Sequence, residues 1–415
     1  MSELRALTAR GNDEEEKPPP TGWITSRMSD FFLCALIPIN YAVPGLPGSA
    51  PIPELAVMAL ALIAMNRRPD SPPRPAWFPM LLSLMWLVLG ASTLLNGVDG
   101  SRRMLHMTNY VILALILASG RVHTPSALRG FATGIAVAGV SAFVNRVVPI
   151  FGAGYGDRFT GLLNDPNVAG YYFTVFGCLG LAGTRSPKLR GWVFLAMALT
   201  VAGTQSRTAI AAVGLAALWF VTRRLLSGRV SIAIFAAAWW LVLTLSERYQ
   251  QWGPFADREG SDALRERIQA AEQVLVAQNP LYGNGAGTAK VDLRGDTFFF
   301  HSSYLGLRAE GGWLLWGIFV ALLALTALAL TREVRSERQV WIEMALICGV
   351  VMAMSLGEVL LELPVAAALG IAMRQALAPE KVVDPDPDDP PSSRADEPGA
   401  TVVGGPATRS ARHAT

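Results

Sequence analysis

Long runs of apolar residues recur along this chain, and clusters of charged residues separate them. A helix needs about 20 apolar residues to cross a hydrocarbon core of about 30 Å, and lipid offers no partner to an unpaired backbone group. The pattern therefore predicts an all-α polytopic membrane protein with about twelve transmembrane helices. The predicted segments are residues 29–46, 53–66, 77–95, 104–119, 130–150, 168–183, 191–204, 208–222, 230–246, 312–331, 340–355 and 358–376.

The distribution of Lys and Arg predicts the orientation of these helices. If the N-terminus is cytoplasmic, every short loop on the cytoplasmic side is basic, as the positive-inside rule requires. Both termini are then cytoplasmic, and Arg102 and Arg103 are a local exception on the outer side. The basic loop residues are Arg67, Arg68, Arg74, Arg121, Arg129, Arg185, Lys188, Arg190, Arg223, Arg224, Arg229, Arg332, Arg335 and Arg338.

Three parts of the chain differ in composition. Residues 29–376 contain all the apolar runs and form the predicted transmembrane domain. Residues 1–28 and the acidic, Pro-rich residues 377–415 cannot bury a core, so we predict two disordered cytoplasmic tails. A binding role for either tail remains an open alternative.

Composition excludes several functional classes. Only 16% of the residues are charged and 52% are hydrophobic, with a mean hydropathy of +0.36, whereas soluble proteins average about 25% charged residues. These values exclude a soluble enzyme, a disulfide-stapled secreted domain and a nucleic-acid binder, and the net charge of +3 comes from the basic loops. The three cysteines are scattered in apolar runs, which predicts buried thiols rather than disulfides or a zinc site.

One long polar segment, residues 247–311, stands out among otherwise short loops. We predict that it lies outside the membrane and contains an amphipathic helix over residues 261–278. Leu264, Ile268 and Leu275 would share the apolar face of this helix. A single large outer loop favours a site at the outer face of the membrane and weighs against a transporter built from two six-helix halves.

Several arginines fall on the predicted outer side. Arg207 joins two spans in a very short hairpin, where it either reaches lipid headgroups or presents its guanidinium to an anionic group. Arg265 and Arg267 on the amphipathic helix are either solvated or part of a diphosphate-binding cluster. Arg158 precedes residues 164–167, an Asn-Asp-Pro-Asn run that is typical of a helix cap.

Histidines and acids give a second set of candidates. His301 lies among aromatic residues at the predicted interface, where it is either part of an aromatic belt or a general base. His106 is predicted to be structural. Glu358 and Glu362 lie one turn apart and either pair with an arginine or carry protons. The sequence has no metal-ligand motif, so we predict no metal and no other cofactor.

An ordered set of short motifs resembles the O-antigen ligase/polymerase family of bacterial membrane glycosyltransferases. The resemblance covers residues 150–320 by motif. This chain has Ser302 and Gln269 where the family often has asparagine and tryptophan. The motifs are Arg158-Phe-Thr-Gly161, Asn164-Asp-Pro-Asn167, Ser206-Arg207, Arg265 fifteen residues before Pro280, Gly283-x-Gly285, His301-x-x-Tyr304-Leu305 and Glu310-Gly311.

The resemblance implies a reaction and roles for these residues. A glycan would pass from a polyprenyl diphosphate carrier to a hydroxyl of a glycan, lipid or protein acceptor, without metal, at the outer face of the bacterial cytoplasmic membrane. Arg207 and Arg265 would neutralise the diphosphate, and His301 would orient or deprotonate the acceptor. Membrane lipid and other polysaccharide-assembly proteins would be partners, and nucleic acid would not. Substrate-binding positions would be Arg158, Asn167, Arg267 and Tyr304.

Alternatives remain open at this stage. A ligase that attaches a finished glycan and a polymerase that joins repeat units share this scaffold and differ in acceptor. A transporter or flippase for lipid-linked sugars would instead depend on Glu358, Glu362 and Arg146 and would tolerate changes at His301. A non-catalytic assembly scaffold would depend mainly on the acidic tail.

Overall fold

The computed structural model of this chain describes residues 27–42, 51–69, 75–150, 155, 157–226, 228–248, 259–331 and 337–377. Within these residues the protein is mainly helical, as predicted, with thirteen α-helices and one small antiparallel hairpin. The helices are α1 Met28–Leu36, α2 Ile52–Met65, α3 Trp77–Asn96, α4 Ser101–Ala118, α5 Thr124–Val147, α6 Pro166–Gly183, α7 Pro187–Thr204, α8 Arg207–Leu225, α9 Gly228–Arg248, α10 Glu259–Ala277, α11 Ser303–Thr331, α12 Glu337–Met352 and α13 Leu363–Leu377.

Each of the twelve predicted apolar runs contains one of these helices, and α10 is the predicted amphipathic helix. Three helices, α3, α5 and α11, are long and apolar enough to cross a membrane, and α2, α9, α12 and α13 contain shorter apolar stretches. Twelve crossings and their orientation remain predictions. The first helix ends at Leu36, well before the predicted residue 46, because Pro38 cannot continue a helix.

Two further details differ from the prediction. The polar segment is not purely helical, since β1 Lys290–Leu293 pairs with β2 Asp296–Phe299 in a hairpin. Of the predicted disordered tails, residues 1–26 and 378–415 lie outside the described residues, as do residues 249–258 of the long polar segment; Met28 and Leu377, at the tail boundaries, belong to α1 and α13. All three cysteines are buried free thiols, as predicted.

Helix α6 lies at the centre of the bundle. Every residue from 169 to 182 is buried, and α5, α7 and α12 pack around it. A helix that is apolar on all sides is stable only when neighbours cover all of its faces. The outer helices, by contrast, expose large apolar side chains such as Trp192, Leu199 and Trp240, which suits contact with lipid.

A buried ion pair joins the helices at one end of the bundle. Asp30 of α1 is fully buried and lies 2.5 Å from Arg67, which follows α2. Arg67 also donates to Ser29 Oγ at 3.0 Å, and the backbone N–H of His123 donates to Asp30 at 2.8 Å. Because an uncompensated buried charge is costly, this cluster fixes α1 against α2 and the α4–α5 connection.

Helix α11 is broken at Gly312. This residue has φ 66° and ψ −161°, a conformation that essentially only glycine adopts. An added Cβ would collide with the carbonyl oxygen of Leu281. The break exposes the Glu310 carbonyl, which accepts hydrogen bonds from Gly285 N and Ser92 Oγ, both at 2.9 Å. The turn at residues 283–285, which follows α10 and is called the glycine turn below, is therefore fixed by hydrogen bonding at the break in α11.

We expect Gly312→Ala to lower the stability of the purified protein by at least about 2 kcal/mol, because both the φ angle and the contact with Leu281 oppose a side chain. Gly317→Ala is the matched control, since it lies in the same helix with nothing near its added Cβ, and alanine favours the helix by about 1 kcal/mol. Thermal unfolding in detergent measures the stability of both variants. Equal unfolding temperatures for the two variants would contradict the role given to the break.

Candidate active site

A cavity of about 740 Å³ opens at the end of the bundle away from the Asp30–Arg67 pair. This volume lies within the range of about 300–1,000 Å³ that is typical of ligand sites. Its walls come from the starts of α2, α4 and α6, from α10 and the hairpin, and from residues 355–363 between α12 and α13. The cavity therefore brings together chain segments that are far apart in sequence.

His301 lines this cavity and is held by the hairpin. Its Nδ1 lies 3.3 Å from the carbonyl oxygen of Phe299. A carbonyl can only accept, so this contact places the ring proton on Nδ1 and leaves Nε2 as the acceptor nitrogen. Burial, and then the nearby positive charge of Arg265, lower the pKa of His301 below its ordinary value. The imidazole is therefore neutral at pH 7 and can take a proton.

Arg265 lines the same cavity from α10. Ile268 and Val276 on the buried face of this helix pack against the hairpin and the start of α11, as the predicted amphipathic pattern required. Arg267 lies two residues from Arg265 and so points roughly 200° away around the helix. It is exposed, its Nε donates to the carbonyl oxygen of Ala263 at 3.2 Å, and it is not among the described residues that line the cavity.

Glu272 couples α10 to His301 and was not among the predicted site residues. Its side chain is fully buried, and its Oε1 accepts the backbone N–H of His301 at 2.5 Å. Burial raises the pKa of this carboxyl group to about 7. Glu272 lies two helical turns from Arg265, so one helix holds both the arginine and the carboxylate that fixes the histidine backbone. A glutamate on the apolar face of an amphipathic helix was the signal for this residue.

Arg158 and Asn167 form one corner beside the cavity. Arg158 Nη2 donates to Asn167 Oδ1 at 3.2 Å and its Nε donates to the Thr204 carbonyl at 2.9 Å. Asn167 itself lines the cavity. Asp165 caps α6 by accepting the N–H groups of Asn167 and Val168 at 2.7 and 2.9 Å. The Asn-Asp-Pro-Asn run is thus a helix cap that also presents an amide to the cavity.

Arg207 is the first residue of α8, directly after the turn that Arg158 contacts. The next residue, Thr208, shares a hydrogen bond with Ser355, which lines the cavity. Arg207 is therefore one residue from a contact at the cavity edge. Arg207 itself is not among the described lining residues.

Tyr304 lies in the first turn of α11. Its hydroxyl donates to the carbonyl oxygen of Val350 at 2.9 Å, and the ring packs against the helical core. The residue is not among the described lining residues of the cavity. Ser302, which replaces the asparagine common in the family, caps α11 by accepting the N–H of Leu305 at 3.4 Å.

Arg103 of α4 lines the cavity and was not among the predicted site residues. Its Nε lies 3.2 Å from the buried Oε2 of Glu310, and its Nη1 lies 3.6 Å from Glu358. Oε1 of Glu310 accepts the N–H of Gly287 at 2.9 Å. Of the two roles considered for Glu358, pairing with an arginine and carrying protons, the pairing is thus present. The exception to the positive-inside rule was the signal that could have identified Arg103.

Three further ionisable residues meet in the same cavity. His106 Nδ1 lies 2.9 Å from Glu54, and His106 Nε2 lies 3.2 Å from Glu362. A carboxylate therefore lies within hydrogen-bond distance of each ring nitrogen of His106. Arg146, by contrast, pairs with Asp157 at 2.7 Å. Ionisable residues within apolar segments usually mark functional sites, and this was the signal for Glu54.

One family of known proteins matches part of this chain. Residues 192–320 match the O-antigen ligase family. The matched segment runs from α7 into α11 and contains Arg207, Arg265 and His301. The match confirms the resemblance drawn from the motifs and, with the apolar helices, identifies a membrane protein of polysaccharide biosynthesis. No curated protein matches the chain significantly.

Glu272, which lies in the matched segment, gives a pH-dependent prediction. Because its folded pKa is about 7 and its ordinary value is 4.5, the folded state binds the proton more tightly, and stability falls as pH rises between these values. We expect Glu272→Gln to be more stable than the wild type at pH 8, by up to about 3 kcal/mol, with the difference vanishing near pH 5. Thermal unfolding in detergent at the two pH values measures it.

Glu266→Gln is the control, since Glu266 lies on the exposed face of the same helix. It should change the unfolding temperature equally at both pH values. A Glu272→Gln effect that is the same at pH 5 and pH 8 would contradict the buried, protonatable state of Glu272.

Proposed function

We propose that this protein is a glycosyltransferase that moves a glycan from a polyprenyl diphosphate to an acceptor hydroxyl at the outer face of the bacterial cytoplasmic membrane. The observation that carries the proposal is the pairing of a neutral His301, with Nε2 as an acceptor, and Arg265 in one cavity at the end of a helical membrane bundle. The O-antigen ligase match supports the reaction class.

In this mechanism His301 Nε2 accepts the proton of the acceptor hydroxyl as that oxygen attacks the anomeric carbon. A new C–O bond forms, and the bond from the anomeric carbon to the diphosphate oxygen breaks. Both electrons leave with the diphosphate. A single displacement of this kind inverts the anomeric centre. Glu272 fixes the backbone of His301, so the imidazole is oriented before the substrate arrives.

The charge that develops on the leaving diphosphate needs preorganised cations. Arg265 supplies one from the cavity wall, and Arg207 supplies another from the start of α8. Guanidinium groups match phosphate oxygens in a bidentate fork, so arginines can provide what a metal ion provides in other phosphate-transfer enzymes. We therefore expect transfer to continue in EDTA. Arg158 acts indirectly, because it orients Asn167, whose amide faces the cavity.

The competing transport hypothesis rested on Glu358, Glu362 and Arg146. Each of these residues has an ion-pair partner among the described residues: Arg103, His106 and Asp157 respectively. Glu358 and Glu362 also line the cavity that contains His301. The two glutamates thus belong to the proposed transfer site, and Arg146 is paired outside the cavity lining, so the proposal does not need a separate transport route.

A reconstituted assay tests the proposal. Purified protein in vesicles is given a polyprenyl-diphosphate glycan and a panel of glycan, lipid and protein acceptors in the presence of EDTA. Release of polyprenyl diphosphate with growth or transfer of the glycan supports the proposal, and the product separates polymerase from ligase. Movement of the intact lipid-linked glycan across the bilayer, without release of diphosphate, would overturn it.

His301→Ala should reduce transfer by at least about 100-fold, within the range for loss of a general base. In the wild type, the rate should rise with pH and level off above the pKa of His301, which burial and Arg265 hold below its ordinary value. Arg265→Gln removes a positive neighbour, so the residual activity of this variant should level off at a higher pH. An inflection that does not move in Arg265→Gln would contradict the coupling between the two residues.

Arg207→Lys should reduce transfer by about 10-fold or more, because a lysine keeps the charge but loses the planar fork. Arg68→Lys is the matched control, since Arg68 is exposed at the other end of the bundle. Initial rates at saturating donor and acceptor measure the effect. Equal rates for the two variants would remove Arg207 from the mechanism.

A further inference from the structure

The cavity contains a second group of cations that the proposed mechanism does not use. Arg102 and Arg103 lie in the first turn of α4, and Lys290 lies on β1. All three line the cavity together with His301 and Arg265. They lie on other elements than Arg265 and Arg207, and none of them belongs to the motif that begins at His301.

Two of these three cations have no acidic partner in the part of the chain that the structure describes. No described acidic side chain lies within ion-pair distance of Arg102 or Lys290. Lys290 Nζ lies over the ring of Phe299 at 5.2 Å from its centroid, which directs the ammonium group toward the cavity wall. The acids near this group include Glu310 and Glu358, 3.2 and 3.6 Å from Arg103, and Asp99, which accepts the N–H of Ser101.

Arg103 is held rigidly in this group. Its side chain is 13% exposed, and Glu310, which is 2% exposed, accepts its Nε–H. The same carboxylate accepts the N–H of Gly287, three residues before Lys290. Glu310 therefore sets the position of Arg103 relative to the segment that leads to Lys290.

The helix terminus adds to the positive potential. Helix α4 has 18 residues, and its N-cap, Gly100, has no side chain that could cap it; Asp99 accepts the N–H of Ser101 only. Unsatisfied N–H groups and the helix dipole at such an end favour an anion. These cations also lie at the end of the bundle opposite the basic loops, so the distribution that sets membrane orientation does not explain them.

We propose that Arg102, Arg103 and Lys290 form a second anion subsite, which binds a phosphate group of the acceptor glycolipid while Arg265 and Arg207 bind the diphosphate of the donor. The inference rests on the proposed function and extends it to the chemistry of the acceptor. The phosphate could belong to a second polyprenyl diphosphate glycan or to a phosphorylated lipid core. The two sources share one recognition chemistry.

Binding stoichiometry tests the proposal without turnover. Farnesyl diphosphate is titrated calorimetrically into the wild type in lipid nanodiscs, where we expect two equivalents per chain. Arg265→Gln should bind one equivalent, and the double variant Arg102→Gln/Lys290→Gln should also bind one. The double variant Arg68→Gln/Arg294→Gln removes two exposed charges that do not line the cavity, and should still bind two.

One equivalent in the wild type, weakened by both sets of substitutions, would overturn the proposal, because all the cations would then serve one diphosphate. Unchanged binding in Arg102→Gln/Lys290→Gln would overturn it as well. Unchanged binding in Arg265→Gln alone would instead argue against the proposed function. Absence of binding to the wild type would overturn both, so the two failures are distinguishable.

Kinetics then separate the sources of the phosphate. In the transfer assay, Arg102→Gln/Lys290→Gln should raise the KM for the acceptor at least 10-fold and leave the KM for the donor unchanged. Acceptors are compared as a polyprenyl diphosphate glycan, a phosphorylated glycolipid and its dephosphorylated form. The acceptor whose KM rises identifies the source, and a rise in the donor KM alone would overturn the assignment.

Discussion

The break in α11 at Gly312 is the constraint on which the cavity depends. A continuous helix would satisfy the Glu310 carbonyl internally, whereas the break releases it to Gly285 and Ser92. The glycine turn after α10 is thereby fixed against α3 and α11. The Glu310 side chain at the same point reaches Arg103 and Gly287. One backbone irregularity thus positions the hairpin, α4 and the amphipathic helix relative to one another.

Two buried carboxylates, Glu310 and Glu272, connect this arrangement to the residues of the proposed site. A buried acid is costly unless hydrogen bonds or cations compensate it. The Glu310 carboxylate pairs with Arg103 and accepts the backbone N–H of Gly287, so both of its oxygens have a partner. Glu272 has backbone N–H donors and no described cation within ion-pair distance, so its pKa is raised to about 7. The first acid fixes charge in the cavity wall, and the second fixes the orientation of His301 at a cost in stability above neutral pH.

Hydrophobic patterning predicted the helices well because each apolar run has to form one in lipid, and the face of α10 followed from its periodicity. The order of short motifs predicted the family, and it included His301 and Arg265. Patterning could not show that α4 and the residues before α13 meet at this cavity, since Arg103, His106 and Glu362 are distant in sequence. Arg267 and Tyr304 were grouped with the site from spacing, but their directions depend on helix phase and core packing.

Under the proposed function, the mixture of charges in the cavity suits a transfer reaction. A wall that contained only arginines and Lys290 would bind the released diphosphate as tightly as the developing charge, and such uniform binding does not accelerate turnover. Glu54 and Glu362 flank His106 within the same cavity and offset this positive potential. Release of the product then depends on the balance between the two sets. Under the proposed function, Glu362, one of the acids on which the transport hypothesis rested, would therefore help the cationic cavity to release the diphosphate.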